Sequence, residues 1–107
     1  MKIPERPTAQ TEYTLKEHKA IEDAPIFILK PLSVGNFDKS ANLTTSGQIM
    51  SGYRFACHHS IKGWKNLEPE FTDDKAVELI DRLDALWIAE LGGQAMEIST
   101  VSEKEKN

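Results

Sequence analysis

The sequence predicts an α+β fold: a small N-terminal β-hairpin or sheet packed against two or three α-helices, with more helix than strand. The run Ile26–Leu29 is β-branched and aromatic, which is typical of a strand. Two later segments, starting near Gln48 and Asp73, place apolar residues three and four positions apart, which is the period of a helix. Because 107 residues suffice for one core, we expect a single globular domain over residues 25–99.

The predicted hairpin joins two short segments of the N-terminal part. Residues 13–16 alternate apolar and polar side chains, and Ile26–Leu29 is stopped by Pro31, as a strand at a sheet edge would be. Two strands alone are marginally stable, so helices must cover them or further strands must join them. If Ile26–Leu29 stays an open edge, a homo-oligomer could pair it. We expect residues 1–24 to form a flexible arm that contains the first strand.

Two helices are predicted in the middle of the chain. Residues 37–43 fit a short helix, which breaks where a run of threonine and serine reaches Gly47. The second helix starts at Gln48 and fades near Gly63, since glycine commonly closes helices. Its apolar face is formed by Ile49, Met50, Tyr53, Ala56 and Cys57. Residues 63–71 then form an irregular link that holds two large aromatic side chains.

The clearest amphipathic pattern lies in the C-terminal part, over residues 73–91. Thr72 fits an N-cap, and the acids that follow it suit the positive end of the helix dipole. The apolar face consists of Ala76, Leu79, Ile80, Leu83 and Trp87. A second stretch, residues 84–99, contains Gly92 and Gly93, which weaken a helix by about 1 kcal/mol each. The pattern leaves open whether these stretches are one helix or two, and residues 100–107 are expected to be a polar tail.

Charge and composition bear on where the protein works. Residues 25–67 carry five basic residues and one acid, whereas residues 68–107 carry four basic residues and eleven acids. The acidic part argues against broad nucleic-acid binding, and we expect the basic middle to face it within the fold.

No apolar run approaches the roughly 20 residues of a membrane span. Cys57 is the single cysteine and the N-terminus lacks the features of a signal peptide, which indicates a reducing cytoplasm.

Few residue patterns indicate a catalytic or metal-binding site. The cluster Cys57, His58 and His59 contains metal-ligand types, but neighbours on a helix point about 100° apart and cannot readily close on one ion. A cysteine nucleophile would need an orienting motif, which the sequence lacks. The remaining candidate carboxylates are Asp73, Asp74, Asp81 and Asp84. Their spacing places most of them on the solvated side of a helix. We therefore predict no enzyme activity, no cofactor and no metal.

The two tryptophans are the most informative large side chains, since each can bury about 200 Å² in a core or an interface. Trp64 lies in the link and Trp87 on the amphipathic face. Our candidate partner-binding residues are Trp64, Leu79, Leu83 and Trp87. The same positions serve equally well as core, and for Trp64 the sequence favours a place in the core over a partner anchor.

The order of several short motifs resembles a known family. Four features follow one another along the chain. They are an apolar strand of the type Phe-x-Leu-Lys, a helix leading into Gly-Trp-x-x-Leu, a Phe-Thr pair and a polar C-terminus. The matching stretches are Phe27-Ile28-Leu29-Lys30-Pro31-Leu32, Ile61-Lys62-Gly63-Trp64-Lys65-Asn66-Leu67, Phe71-Thr72 and residues 99–107. Together they resemble the tail assembly chaperones of siphophage-type tailed bacteriophages. The link departs from that pattern, since Glu68-Pro69-Glu70 replaces an Asp-Gly turn.

The resemblance implies a small protein of the host bacterial cytoplasm that binds the phage tape measure protein and helps to recruit tail tube subunits. It implies no cofactor, and no nucleic-acid or membrane partner is expected. Two other classes stay open. The chain could be a structural virion component, such as a tail completion or head–tail connector protein, or a small regulator that binds a host protein.

Overall fold

The computed structural model describes residues 9–100, and within them it contains three β-strands and four α-helices. The strands are β1 (Thr11–Tyr13), β2 (Ile26–Leu29) and β3 (Ile61–Lys65). The helices are α1 (Val34–Thr45), α2 (Ile49–Ser60), α3 (Ala76–Asp81) and α4 (Ala85–Ile98). The predicted helix-dominated α+β class is confirmed. Residues 1–8 and 101–107 lie outside the described residues, so the predicted flexible start and nearly all of the polar tail stay predictions.

The strands form one antiparallel sheet in the order β1-β2-β3. The predicted hairpin is present: β1 pairs with β2, and Tyr13 lies opposite Phe27. β3 pairs with the other side of β2, where Trp64 also lies opposite Phe27. β2 is therefore the central strand, and its predicted position at an edge is wrong because β3 was not foreseen. The argument that an open edge of β2 could pair with a second copy no longer applies, and a homo-oligomer stays a prediction.

The first strand ends earlier than the predicted strand at residues 13–16. The chain leaves the sheet after Tyr13 because Leu15 turns into the core, where it is fully buried. The Glu90 carboxylate of α4 holds this turn, since it accepts hydrogen bonds from the Tyr13 hydroxyl and the Lys16 backbone N–H. Residues 16–18 then form a short 3-10 helix. The segment 11–24, which we assigned to the arm, thus contributes a strand and a core side chain to the domain.

The two middle helices differ from the prediction mainly at their ends. α1 is longer than the predicted residues 37–43, because the Ser33 side chain caps it by accepting a hydrogen bond from the Asn36 N–H at 3.1 Å. α2 ends at Ser60 instead of fading near Gly63. The following residue, Ile61, is already extended and buried, so the helix leads directly into β3 without a loop.

The two amphipathic stretches of the C-terminal part form two separate helices, α3 and α4. Asp84 separates them because its carboxylate caps α4, accepting a hydrogen bond from the Leu86 N–H at 2.8 Å. The proposed N-cap, Thr72, makes no capping hydrogen bond through its side chain; it precedes a 3-10 helix, Asp73–Lys75, that leads into α3. None of the helices between residues 9 and 100 has the length and apolar character that crossing a bilayer requires.

The core lies between the sheet and the helices, and α2 and α4 form the most extensive contact between helices. Their backbones approach closely: a Cβ on Gly92 would lie 2.7 Å from the Cα of Tyr53, closer than real side chains come. This contact accounts for a glycine in the middle of α4, where it otherwise weakens the helix. The largest fully buried side chains are Leu15, Phe27, Leu29, Cys57, Ile61, Ile80 and Leu91.

Candidate partner-binding cleft

The four candidate partner-binding residues lie together around one surface cleft of about 240 Å³. β3, α3 and α4 each contribute to it, and the loop after β3 forms one wall. The lining residues are Trp64, Leu67, Glu68, Pro69, Leu79, Arg82, Leu83, Asp84 and Trp87. The cleft therefore has an apolar floor and charged side chains at its margin.

Trp64 forms the inner wall of the cleft and is almost fully buried, with 8% of its surface exposed. Its ring stacks edge-to-face on Phe27 and Phe71, with centroid distances of 5.9 and 5.0 Å. Its indole N–H donates a hydrogen bond to the carbonyl of Pro69 at 2.9 Å. Trp64 is thus mainly a core residue, and these contacts fix the edge that it presents to the cleft.

Trp87 lies on the α4 side of the cleft and is half-buried. Its indole N–H donates a hydrogen bond to the Glu17 carboxylate at 2.8 Å, and His18 contacts its ring edge-on at 5.2 Å. Phe27 stacks against it at 6.1 Å. The N-terminal segment therefore orients this tryptophan, although the sequence patterns gave no indication of these contacts.

Two leucines complete the apolar floor. Leu79 of α3 is buried, whereas Leu83, in the turn between α3 and α4, is only half-buried. Leu83 also borders a second, shallower groove of about 430 Å³ on the other side of the same turn. That groove is lined by Met50, Ser51, Arg54, Asp81, Leu83, Ala85 and Ile88. Leu83 thus separates two adjacent concave surfaces.

An ion-pair cluster attaches α3, one wall of the cleft, to α2. Arg54 donates two hydrogen bonds to the Asp81 carboxylate, at 2.8 and 3.0 Å, and His58 contacts the same carboxylate at 2.7 Å. The hydrogen bonds from Arg54 lower the pKa of Asp81 to about 2, with a smaller contribution from His58 and partial opposition from burial. At this place the basic middle of the chain does contact the acidic C-terminal part.

The side chains of the candidate metal cluster diverge. Cys57 packs against α4, with its sulfur 3.4 Å from the carbonyl of Ile88, and burial raises its pKa to about 12. His58 contacts Asp81, whereas His59 stacks on Phe55 with ring centroids 4.4 Å apart. A thiol with this pKa is protonated near neutral pH and is a poor nucleophile. Across residues 9–100, no three His, Cys, Asp or Glu side chains are arranged to hold a metal ion.

The four candidate carboxylates do not converge on one site, and two of them have structural roles. Asp81 is paired with Arg54, and Asp84 caps α4. Asp73 and Asp74 are exposed on the 3-10 helix that precedes α3. The residues that the sequence patterns missed are those of the cleft margin, above all Glu68 and Arg82. The irregular link predicted over residues 63–71 marked this region, but no pattern indicated that it folds back onto Trp64.

Comparisons with known proteins add no assignment. No family model matches this sequence, and neither a curated protein nor a solved structure matches the chain.

Proposed function

We propose that the protein binds an apolar segment of a partner protein in the cleft, and that it serves as a tail assembly chaperone of a tailed bacteriophage. In this role it binds the tape measure protein in the host bacterial cytoplasm and helps to recruit tail tube subunits. The observation that carries the binding proposal is the cleft formed by Trp64, Leu79, Leu83 and Trp87. The order of motifs in the sequence supports the phage role.

The size of the cleft suits a protein side chain. Its volume of about 240 Å³ is below the roughly 300–1,000 Å³ of pockets that hold small-molecule ligands. Burial of one Leu or Phe side chain there contributes about 1.5–3 kcal/mol. One anchor of this strength does not bind a partner alone, because even millimolar affinity needs about 4 kcal/mol, so further contacts around the cleft must contribute. Binding built from several weak contacts is reversible, which a chaperone needs because it must release its client at assembly.

The proposal is tested with the tagged protein in phage-infected or prophage-induced cells. Mass spectrometry identifies the proteins that co-purify with it and, separately, the proteins of the purified virions. We expect the tape measure protein in the first sample and no copies of this chain in the second.

Other results would contradict the chaperone role. Detection of the chain in virions would make it a structural component of the tail or connector. Specific recovery of one host protein without the tape measure protein would make it a regulator of that host protein.

A further inference from the structure

The charges around the cleft define the chemistry of its occupant. We propose that the cleft takes an amphipathic helix of the partner whose polar face is basic, with an apolar side chain seated between Trp64, Leu83 and Trp87. This inference rests on the proposed protein-binding function, and it adds the charge and the secondary structure of the bound segment.

The segment that supplies most of the cleft lining is strongly acidic. From the loop after β3 to the first half of α4, residues 68–90 contain eight acids and two basic residues. The acids are Glu68, Glu70, Asp73, Asp74, Glu78, Asp81, Asp84 and Glu90. Three of these acids are occupied within the fold: Asp81 is paired with Arg54, Glu90 accepts a hydrogen bond from Tyr13, and Asp84 caps α4. The remaining five outnumber the two basic residues of this segment, Lys75 and Arg82.

The acids are placed where a bound helix would meet them. Glu68 and Asp84 line the cleft itself, together with one basic residue, Arg82. Asp73, Asp74 and Glu78 lie on the neighbouring outer surface of α3 and its preceding 3-10 helix, and all three are exposed. Lysine and arginine side chains of a partner would therefore face carboxylates while its apolar side chains enter the cleft. Such rim charges mainly increase the association rate and select the partner, and salt weakens them.

The shape of the surface favours a helix as the bound element. The cleft and the second groove are adjacent and share Leu83 as their common border. Met50, which is 44% exposed, forms part of the far wall of that groove. On a helix, apolar side chains three or four residues apart project from one face, about 5–6 Å from each other. One such residue can enter the cleft while the next enters the groove, as in other helix-in-groove complexes.

The two tryptophans of the chain both line the cleft, so intrinsic fluorescence reports its occupation directly. The probe is a designed helical peptide that lacks aromatic residues, with leucines along one face and lysines on the other. A matched peptide has glutamates in place of the lysines. We expect saturable binding of the lysine peptide, at least about tenfold tighter than the glutamate peptide at low salt, and a smaller difference at high salt.

Matched variants locate the binding surface. We expect Leu83→Asp to weaken binding of the lysine peptide at least about tenfold, because it places a carboxylate in the apolar floor. Val34→Asp is the control: Val34 is 66% exposed and lies near the C-terminal end of α4, where the Leu32 N–H meets Ser99, whereas the cleft is at the N-terminal end. Circular dichroism confirms that each variant is folded.

A second pair of variants tests the charge. Glu68→Lys should weaken binding of the lysine peptide and reduce the preference over the glutamate peptide. Glu97→Lys makes the same change of charge on an exposed residue near the C-terminal end of α4 and should leave both unchanged. Equal binding of the two peptides, or a preference that Glu68→Lys does not reduce, would overturn the inference.

A second copy of the chain is the competing occupant of the cleft. If wild-type protein dimerises, Leu83→Asp abolishes the dimer and neither peptide binds, then the cleft holds a second copy and the inference is overturned. The proposed function fails separately. If the lysine peptide binds as expected but the tape measure protein does not co-purify, the cleft has the inferred specificity and the phage role is wrong. If the tape measure protein co-purifies equally with Leu83→Asp, the role stands and the cleft is not its site.

Discussion

The middle of α4 and its N-terminal end pack in opposite ways. At Gly92 the helix approaches α2 so closely that a Cβ would lie 2.7 Å from the Tyr53 backbone. One and a half turns earlier, at Trp87, the same helix faces large side chains that leave an open cleft of about 240 Å³. Gly92 allows the backbones to meet at the first contact, whereas the aromatic and leucine side chains at the second leave room for another molecule.

This difference separates stability from binding within one helix. A close contact between backbones leaves no space for a change of side chain, because protein interiors are packed at crystal-like density. A cleft whose walls are fixed by hydrogen bonds, such as those from Trp64 and Trp87, keeps its shape without being filled. We expect substitutions at the first site to act on folding, and substitutions on the open side of the second to act on binding.

The largest expected effect is that of Trp64→Ala. Trp64 combines a core position with a place in the cleft, since it lines the cleft but is 8% exposed and packs between Phe27 and Phe71. Its removal should lower the free energy of unfolding by about 3–5 kcal/mol, measured by urea denaturation. Leu86→Ala, at a side chain that is 79% exposed, is the control and should change it by less than about 0.5 kcal/mol. An unchanged thermal midpoint for Trp64→Ala would make it a free anchor for a partner.

The sequence predicted the fold class because the strongest patterns follow local rules. The predicted strand Ile26–Leu29 has the same bounds as β2. Its β-branched and aromatic side chains favour a strand by themselves, without information from the rest of the chain. β3 was missed because Ile61 follows α2 without a turn residue, and because Gly63 was taken as a helix end. Only pairing with β2 makes this segment a strand, and a pattern within the segment cannot show that pairing.

The sequence indicated which apolar residues lie together at the candidate site, but it did not indicate that they line a cleft. Helical periodicity grouped Leu79, Leu83 and Trp87 on one face, and they do line one surface. The periodicity continued across the break at Asp84, although an Asp before Ala85 is itself a capping signal. The cleft depends on the loop after β3 folding back, with Pro69 accepting the hydrogen bond from Trp64. That contact is tertiary and has no local signature.

A pair of neighbouring glycines tests the closed contact of α4. Gly92→Ala should lower the free energy of unfolding by about 2 kcal/mol, because the steric cost against Tyr53 exceeds the gain of about 1 kcal/mol in helix propensity. Gly93→Ala makes the same chemical change, but its Cβ meets only the Tyr53 ring at 4.0 Å and should stabilise the protein by about 0.5–1 kcal/mol. Opposite shifts of the two thermal midpoints are expected, and equal stabilisation would contradict the close approach of α2 and α4.

The smallest expected effect concerns the ion pair that holds α3, a wall of the cleft, against α2. Asp81→Asn should cost at most about 1 kcal/mol at pH 7, since Arg54 is exposed and solvent screens the pair. The control Asp74→Asn, at an exposed position on the 3-10 helix, should change the urea midpoint by less than the Asp81 variant does.

The pH dependence of this difference follows from the pKa of Asp81. Because the folded state lowers that pKa to about 2, from an ordinary value of about 4, the carboxylate contributes stability above pH 4. The contribution is lost as the pH falls towards 2. The gap between wild type and Asp81→Asn should therefore narrow from pH 4 to pH 2. A gap that persists at pH 2 would show that the side chain acts through packing. The wall of the cleft would then depend on the buried Leu79 and Ile80, and not on its charged attachment to α2.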